Sequence, residues 1–350
     1  MQSDSSNGSF KLEAPANSYL PFTVNRQASP VLALPPEITS EIFFQFLPDP
    51  PDFPLLSGPH SPLLLCQICR QWSSIALTLP QLWSMVRIVI QDERPAQVEL
   101  FKTWLSRSGD FPLSISIRSL LPSISPPIRD LLQTPLAALS ARLEHFELST
   151  PSDDTWELLL GDMPLLRHLS FTLIHFSFDA GALTVFDRAP RLTHVILGEF
   201  YRQFIVRLPW TQITHLDVHE LYLFECAETL CNAEHLVHCI FGVMYSDRNI
   251  EVPVAPPHQR LRHLILRAGS NQSEKLDLSK FLDRLTLPAL RTFAVYERDL
   301  GLESLKACIL RSRCALDELR ITAADGTLSE MVYREALPSI QNIVLEIVEV

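Results

Sequence analysis

The segment LRHLSF, residues 166–171, recurs in altered form through the C-terminal part of the chain. Its frame places apolar residues at positions 1, 4 and 6. Nine segments fit this frame: LEHFEL (143–148), LRHLSF (166–171), LTHVIL (192–197), ITHLDV (213–218), LVHCIF (236–241), LRHLIL (261–266), LRTFAV (290–295), LDELRI (316–321) and IQNIVL (340–345). Successive segments start 21 to 29 residues apart, so one structural unit is repeated along the chain.

A period of this length with this apolar spacing is typical of leucine-rich repeats, in which each unit contributes one short strand and returns through a helix or an irregular arm. Alternation along a strand turns positions 4 and 6 into the core and positions 3, 5 and 7 outward. The sequence therefore predicts an α/β fold in which residues 91–350 form a curved solenoid with one parallel sheet. MVRIVI (85–90) and LSISIR (113–118) are also predicted strands and join this solenoid to the preceding residues.

Position 3 of the frame forms a column of histidines. Its members are His145, His168, His194, His215, His238 and His263, six of the eleven histidines in the chain. Neighbouring strands lie about 4.8 Å apart, so the imidazoles are predicted to form a ladder. A metal-binding or pH-sensing strip is one hypothesis. The other is a structural role, with each ring bonded to a backbone group where its strand begins; the lack of a parallel column of carboxylates or thiols favours it over a tetrahedral zinc site.

Two further clusters have the side chains of a metal or catalytic site. Cys226, Cys231, His235, His238 and Cys239 are close in sequence, but the frame turns Cys239 inward and His238 outward. His215, His219 and Glu220 resemble a metalloprotease spacing, which requires a helix where the frame predicts a strand. The glycine-rich phosphate loops and nucleophile elbows of common enzymes do not occur in the sequence. We therefore predict no catalytic residues, no metal and no cofactor.

Outward positions 3, 5 and 7 are the predicted surface for a target protein. The residues chosen there are Glu147, His168, His194, Asp217, His219, Arg267, Tyr296 and Arg320. A net charge of −11, from 40 acidic and 29 basic residues, disfavours binding to a nucleic acid or an anionic membrane. No apolar run is long enough to span a membrane. A protein partner fits this composition better.

Seven cysteines in an irregular set and an N-terminus, MQSDSSNGSF, without signal-peptide order indicate a reducing compartment, the cytoplasm or the nucleus. Residues 1–30 are rich in Ser, Asn, Pro and Gln, which predicts a disordered arm. Residues 31–90 are predicted to form a helical module, interrupted by the proline-rich segment PDPPDFPLLSGPHSP (48–62).

Two helical pieces flank the proline-rich segment. The first has an apolar stripe of Leu34, Ile38, Ile42, Phe43, Phe46 and Leu47, and Pro35 and Pro36 suit its first turn. The second has a stripe of Leu65, Ile68, Cys69, Trp72, Ile75 and Ala76. Cys66 and Cys69 have the spacing of half a metal or redox site, but no second pair follows, which favours packing. Trp83 is a candidate for joining the module to the repeats.

The two halves together resemble an F-box protein with leucine-rich repeats, of the divergent type abundant in fungi. The resemblance rests on Leu34-Pro35-Pro36-Glu37-Ile38, on Ile42-Phe43, and on Ile68-Cys69-Arg70-Gln71-Trp72 with a following Leu82-Trp83. The long proline-rich segment departs from the short connection usual in that family. The resemblance implies a target receptor of a Skp-cullin-RING ubiquitin ligase, with no chemistry of its own.

By position, the resemblance assigns the contact with the Skp adaptor to Leu34, Pro35, Ile38, Ile42, Phe43, Cys69 and Trp72, and the repeats would hold an unidentified target protein. An apolar face of this kind suits a protein interface. On this hypothesis, Trp72→Ala or Leu34→Ala abolishes adaptor binding and leaves the fold intact. The alternative is a leucine-rich-repeat scaffold outside the ubiquitin system, in which the helical module is a structural cap.

Overall fold

A computed structural model describes residues 30–48, 52–121, 123–150, 161–173, 184–199, 206–245, 250–269, 277–296, 300–323 and 330–347. Residues 1–29 of the predicted disordered arm and residues 49–51 of the proline-rich segment lie outside this range. The predicted single parallel sheet is confirmed: eleven strands in the described residues lie side by side in chain order, and every pair is parallel.

The strands follow the sequence frame closely. They are β1 (Met85–Ile90), β2 (Leu113–Ser119), β3 (Leu143–Thr150), β4 (His168–Leu173), β5 (His194–Leu197), β6 (His215–Leu221), β7 (His238–Val243), β8 (His263–Ala268), β9 (Thr292–Tyr296), β10 (Glu318–Ala323) and β11 (Asn342–Ile347). All nine predicted segments, as well as MVRIVI and LSISIR, contain a strand. Frame positions 1 and 4 are buried in every repeat, and position 6 is buried in all except the last.

Helices lie between several of the strands and complete the core. They are α1 (Pro36–Phe46), α2 (Pro62–Ile68), α3 (Arg70–Leu77), α4 (Pro95–Arg107), α5 (Pro126–Leu139), α6 (Leu223–Asn232), α7 (Ser279–Leu282), α8 (Leu302–Ser312) and α9 (Glu330–Ala336). Buried residues such as Phe101 of α4 and Leu132 of α5 belong to the same apolar cluster as the inward residues of the strands. One continuous core therefore lies behind the sheet, and the face with positions 3 and 5, called the outer face here, is free of these helices.

The first helix of the module begins where its prolines predict. Pro35 is the residue before α1, and Pro36 occupies its first turn, where a missing amide hydrogen costs nothing. Glu37 lies in the same turn, where its charge is favourable beside the positive end of the helix dipole. Phe43 is fully buried, which fixes the inward face of the helix.

The second predicted helix is divided at Cys69. Cys69 has an extended backbone with φ −159° and ψ 168°, so α2 ends before it and α3 begins after it. Its Sγ accepts a hydrogen bond from the Trp72 amide at 3.4 Å and so caps α3. A single apolar stripe from Leu65 to Ala76 is therefore wrong: Leu65 and Ala76 are buried, but Ile68 is 59% exposed.

The proline-rich segment pairs with the edge of the sheet. Leu55 forms a parallel bridge with Arg87 of β1, and the Arg87 amide donates to the Pro54 carbonyl at 2.8 Å. Phe53 and Leu56 are buried. The segment thus covers part of the open edge of β1, whose unpaired backbone groups would otherwise be available to another chain.

Trp83 joins the module to the first repeats. Its side chain is fully buried, and its Nε1 donates a hydrogen bond to the Ala76 carbonyl of α3 at 2.8 Å. Its ring meets that of Trp104 in α4 edge to face, with centroids 5.0 Å apart. This contact agrees with the prediction that Trp83 holds the two parts of the chain together.

Gly242 in β7 provides a test of the strand packing. The register of β6 against β7 shifts between Val218 and Leu221, and a Cβ at Gly242 would lie 1.7 Å from the His219 carbonyl oxygen. We expect Gly242→Ala to lower the free energy of unfolding by about 1.5 kcal/mol, because β6 and β7 must separate. Urea denaturation followed by circular dichroism measures this loss.

Gly301→Ala is the matched control for this substitution. A Cβ at Gly301 meets no atom closer than 3.7 Å, so the expected cost is only that of a poorer N-cap for α8, which should be clearly smaller than the effect of Gly242→Ala. Equal effects of the two substitutions would contradict the close approach of His219 to Gly242.

Candidate functional site

The predicted histidine ladder is present on the outer face. The register aligns the six histidines of position 3 across β3 to β8, and centroids of neighbouring rings are 4.1 to 5.9 Å apart. The closest pair, His194 and His215, is stacked with an angle of 10° between the ring planes. The rings therefore contact one another along the sheet.

Burial lowers the pKa values of five histidines of the ladder. Burial lowers the pKa of His145 to about 4, and the adjacent His168 lowers it further while Glu147 opposes the shift. Burial, followed by the charges of His215, His168 and His145, lowers the pKa of His194 to about 4. The pKa values of His168, His215 and His238 are also lowered, mainly by burial. The neutral form of these five rings is therefore favoured.

Two rings of the ladder have hydrogen-bond partners other than the predicted backbone groups. The Nδ1 atoms of His194 and His215 each lie 2.9 Å from the hydroxyl of the preceding threonine, Thr193 or Thr214. Imidazole lone pairs lie in the ring plane, so stacked rings do not direct them at one shared ion. Within the described ranges, no group of three or more histidine, cysteine, aspartate or glutamate side chains is placed to hold a metal ion.

The ladder lines a groove of about 400 Å³ along the outer face. Of the predicted target-binding residues, Glu147, His168, His194 and Asp217 line this groove. Asp217, His219 and Arg267 line an adjoining pocket of about 250 Å³ near the carboxyl ends of β5 to β8. Tyr296 and Arg320 belong to neither cavity; Arg320 is exposed and pairs with Glu318 and Glu346 instead.

The amino-terminal end of the groove contains residues that the repeat frame does not identify. Phe53 lies with its ring centroid 5.0 Å from that of His145, and the Arg87 guanidinium lies 5.3 Å above the Phe53 ring. Arg87 also donates to the Ser116 hydroxyl at 3.1 Å and to Glu147 at 3.4 Å. The sequence signal that could have identified this end of the groove is Phe53, an aromatic residue within the proline-rich segment.

Asp217 connects the groove and the adjoining pocket. Its Oδ1 is buried and has no hydrogen-bond partner in the described residues, and its Oδ2 lies 3.6 Å from the nearest Arg267 nitrogen. Burial raises the pKa of Asp217, and the Arg267 charge opposes that shift. The carboxylate therefore has unused capacity to accept hydrogen bonds.

The other two clusters from the sequence do not form a site. Cys239 is fully buried while His238 is partly exposed on the opposite side of β7, as the frame predicts. His215, His219 and Glu220 all lie on strand β6, so the helical metalloprotease arrangement is not formed.

The predicted adaptor-binding residues divide into two groups. Pro35, Ile38 and Ile42 are exposed on or beside α1, with Ile38 50% and Ile42 39% exposed. Phe43 is fully buried, and the Trp72 ring packs against it edge to face at 5.0 Å. Leu34 and Cys69 are partly buried. The outward residues are available to a partner, and the inward residues support the module.

Exposed apolar side chains occur on each of the three module helices. They are Ile38 and Ile42 of α1, Leu64 and Ile68 of α2, and Leu77 of α3, called the exposed apolar set here. Contacts of α3 with both α1 and α2 hold these helices in one unit. These five side chains are the module's candidates for contact with a partner, because they are apolar and accessible.

None of the helices in the described residues has the length and apolar character needed to cross a bilayer. A scan against models of protein families finds no match to the chain, and a search of curated proteins finds none either.

Proposed function

We propose that the chain is the target-recognition subunit of a Skp-cullin-F-box ubiquitin ligase. In this role residues 31–90 dock on the Skp adaptor, and the leucine-rich-repeat-like outer face holds a target protein. The observation that carries the proposal is the exposed apolar set on a three-helix module, next to a long sheet with a groove. Apolar side chains of this kind provide the desolvated contacts that dominate protein interfaces.

The geometry changes which residues test adaptor docking best. Trp72 packs on the buried Phe43, so Trp72→Ala would disturb the module itself as well as any partner surface. Ile38 and Ile42 lie one turn apart on the exposed face of α1 and make a cleaner test. Charged residues at these positions remain in water when the protein is alone, but lose their hydration in an apolar interface.

We expect the double variant Ile38→Asp/Ile42→Asp to bind the Skp adaptor at least tenfold more weakly than the unaltered chain. Co-purification of the co-expressed pair detects the loss, and titration of the purified proteins measures its size. Circular dichroism must show the same thermal midpoint within a few degrees, because both positions are exposed.

Leu310→Asp is the matched control, since Leu310 is 77% exposed on α8 and lies outside the module. It should bind the adaptor as the unaltered chain does. A folded double variant that retains full adaptor binding would remove the basis of the ubiquitin-ligase proposal.

The alternative, a repeat scaffold with a structural helical cap, is favoured by one specific observation. Residues of the module, including Phe43, Leu65 and Trp83, belong to the same core cluster as the repeats. A structural cap and an adaptor-binding surface use opposite sides of the module. Failure of the unaltered chain to bind the adaptor would therefore leave the scaffold as the function that fits this geometry.

A further inference from the structure

The groove and its adjoining pocket form one surface through Asp217, which lines both. The side chains from His145 to His238 cover five neighbouring strands, or about 19 Å at the usual strand spacing. An extended polypeptide rises about 3.3 Å per residue, so a segment of about six residues matches this length. The surface thus has the dimensions of a peptide-binding site.

The middle of this surface favours apolar side chains. Ile196 lies at its centre on β5, and 44% of its surface is exposed. Isoleucine is one of the residue types most often buried in folded proteins, so this exposure is unusual. Phe53 closes the end near β1 to β3. The rings of His145 and His168 lie on β3 and β4 between these two residues, and burial lowers the pKa of both, which favours their neutral form.

The charges around the surface are mostly negative. Five carboxylates line the two cavities against two guanidinium groups: Asp52, Glu147, Asp217, Glu199 and Glu220 against Arg87 and Arg267. The net charge of the whole chain has the same sign. A cationic ligand is therefore attracted, and an anionic one such as a nucleic acid is repelled.

Asp217 is the strongest candidate to receive the cation. Its Oδ1 has no hydrogen-bond donor in the described part of the chain, and its Oδ2 is beyond hydrogen-bond distance from Arg267. A carboxylate turns readily about its last torsion, so either oxygen can be presented to a ligand. A lysine or arginine side chain would supply charge-assisted hydrogen bonds to it.

We propose that the outer face binds an extended segment of about six residues that places a lysine or arginine at Asp217 and an apolar side chain between Ile196 and Phe53. The identification of this segment as part of a target protein rests on the proposed receptor function. The recognition chemistry itself is independent of the Skp adaptor.

Selection from a displayed library of random twelve-residue peptides on the purified full chain tests the proposal. The enriched peptides should share a lysine or arginine near an apolar residue. A synthetic peptide with their consensus sequence should bind at least tenfold more weakly to Asp217→Asn and to Ile196→Ser. Asp162→Asn and Leu310→Ser are the matched controls, as both residues are exposed outside the groove, and they should bind unchanged.

Three results would overturn the proposal: no enrichment, enrichment of acidic peptides, or unchanged peptide affinity in both groove variants. A concentration-dependent increase in mass by light scattering, lost in Ile196→Ser, would assign the surface to a second copy of the chain instead. Circular dichroism confirms that each variant is folded. Co-purification with the Skp adaptor should be unchanged in the groove variants, so failure of this inference and failure of the ligase function give different results.

Discussion

Trp83→Ala is expected to lower the free energy of unfolding by about 3–5 kcal/mol, the range for removal of a large buried aromatic side chain. Trp83 is fully buried, packs on Trp104 and donates to the Ala76 carbonyl. Alanine would leave a cavity between α3 and α4, and the Ala76 carbonyl would lose this donor and keep its longer hydrogen bond from the Leu79 amide, at 3.4 Å. Urea denaturation followed by tryptophan fluorescence and by circular dichroism measures the loss.

Two controls separate packing from the hydrogen bond. Trp83→Phe keeps an aromatic ring against Trp104 but loses the Nε1 donor, so its effect should be clearly smaller than that of alanine. Leu310→Ala removes an exposed side chain and should change the stability by about 0.5 kcal/mol or less. If Trp83→Ala were as mild as Leu310→Ala, the module would not be held to the repeats through this residue.

The sheet could be predicted from sequence because every repeat has the same apolar positions, and each repeat must bury them. Burying apolar residues at positions 1, 4 and 6 permits one strand register, and nine copies of the frame agree on it. The histidine column followed from that register without further information. The hydrogen bonds and the stacking of the histidine rings could not be predicted in this way. They depend on side-chain torsions, which the frame does not determine.

The helical module was harder to predict because its segments are short. An apolar stripe from Leu65 to Ala76 has helical spacing, yet the chain is extended at Cys69. A thiol is an unusual helix cap, so no residue in the sequence signals the break. The break separates Ile68 from the buried Leu65 and Ala76 of the predicted stripe and leaves it exposed, as a member of the exposed apolar set.

The groove needed information from distant parts of the chain. Its predicted residues, such as Glu147 and Asp217, were found from outward strand positions alone. Phe53 and Arg87 were missed because a proline-rich segment brings Phe53 across β1, and no periodic pattern describes that path. Function resists prediction for a related reason: the ladder follows from the repeat, but the end of the groove and the choice of ligand depend on individual residues such as Phe53 and Asp217.

Acidification is expected to destabilise the protein through the histidine ladder. The pKa values of His145 and His194 are lowered to about 4 in the folded chain, against 6.5 for an unperturbed histidine. The contribution of these two histidines to the free energy of unfolding is therefore fully present above about pH 6.5 and is lost as the pH falls toward 4. The cause is that the unfolded chain binds protons in this range, whereas the buried rings of the folded chain do not until the pH nears 4. His168, His215 and His238 act in the same direction.

Between pH 7 and pH 5, His145 and His194 together should account for a loss of about 2 kcal/mol, a value already halved to allow for solvent screening. Urea denaturation at pH 7.5, 6 and 5 measures the total loss. His194→Gln should reduce this pH dependence, since glutamine cannot take up the proton, whatever its effect at pH 7.5. Leu310→Gln, which changes an exposed residue outside the ladder and alters no titratable group, should leave the pH dependence unchanged. Because carboxylates also titrate in this range, only the difference between these two variants isolates the ladder, and equal pH dependence in both would show that the stacked rings do not resist protonation.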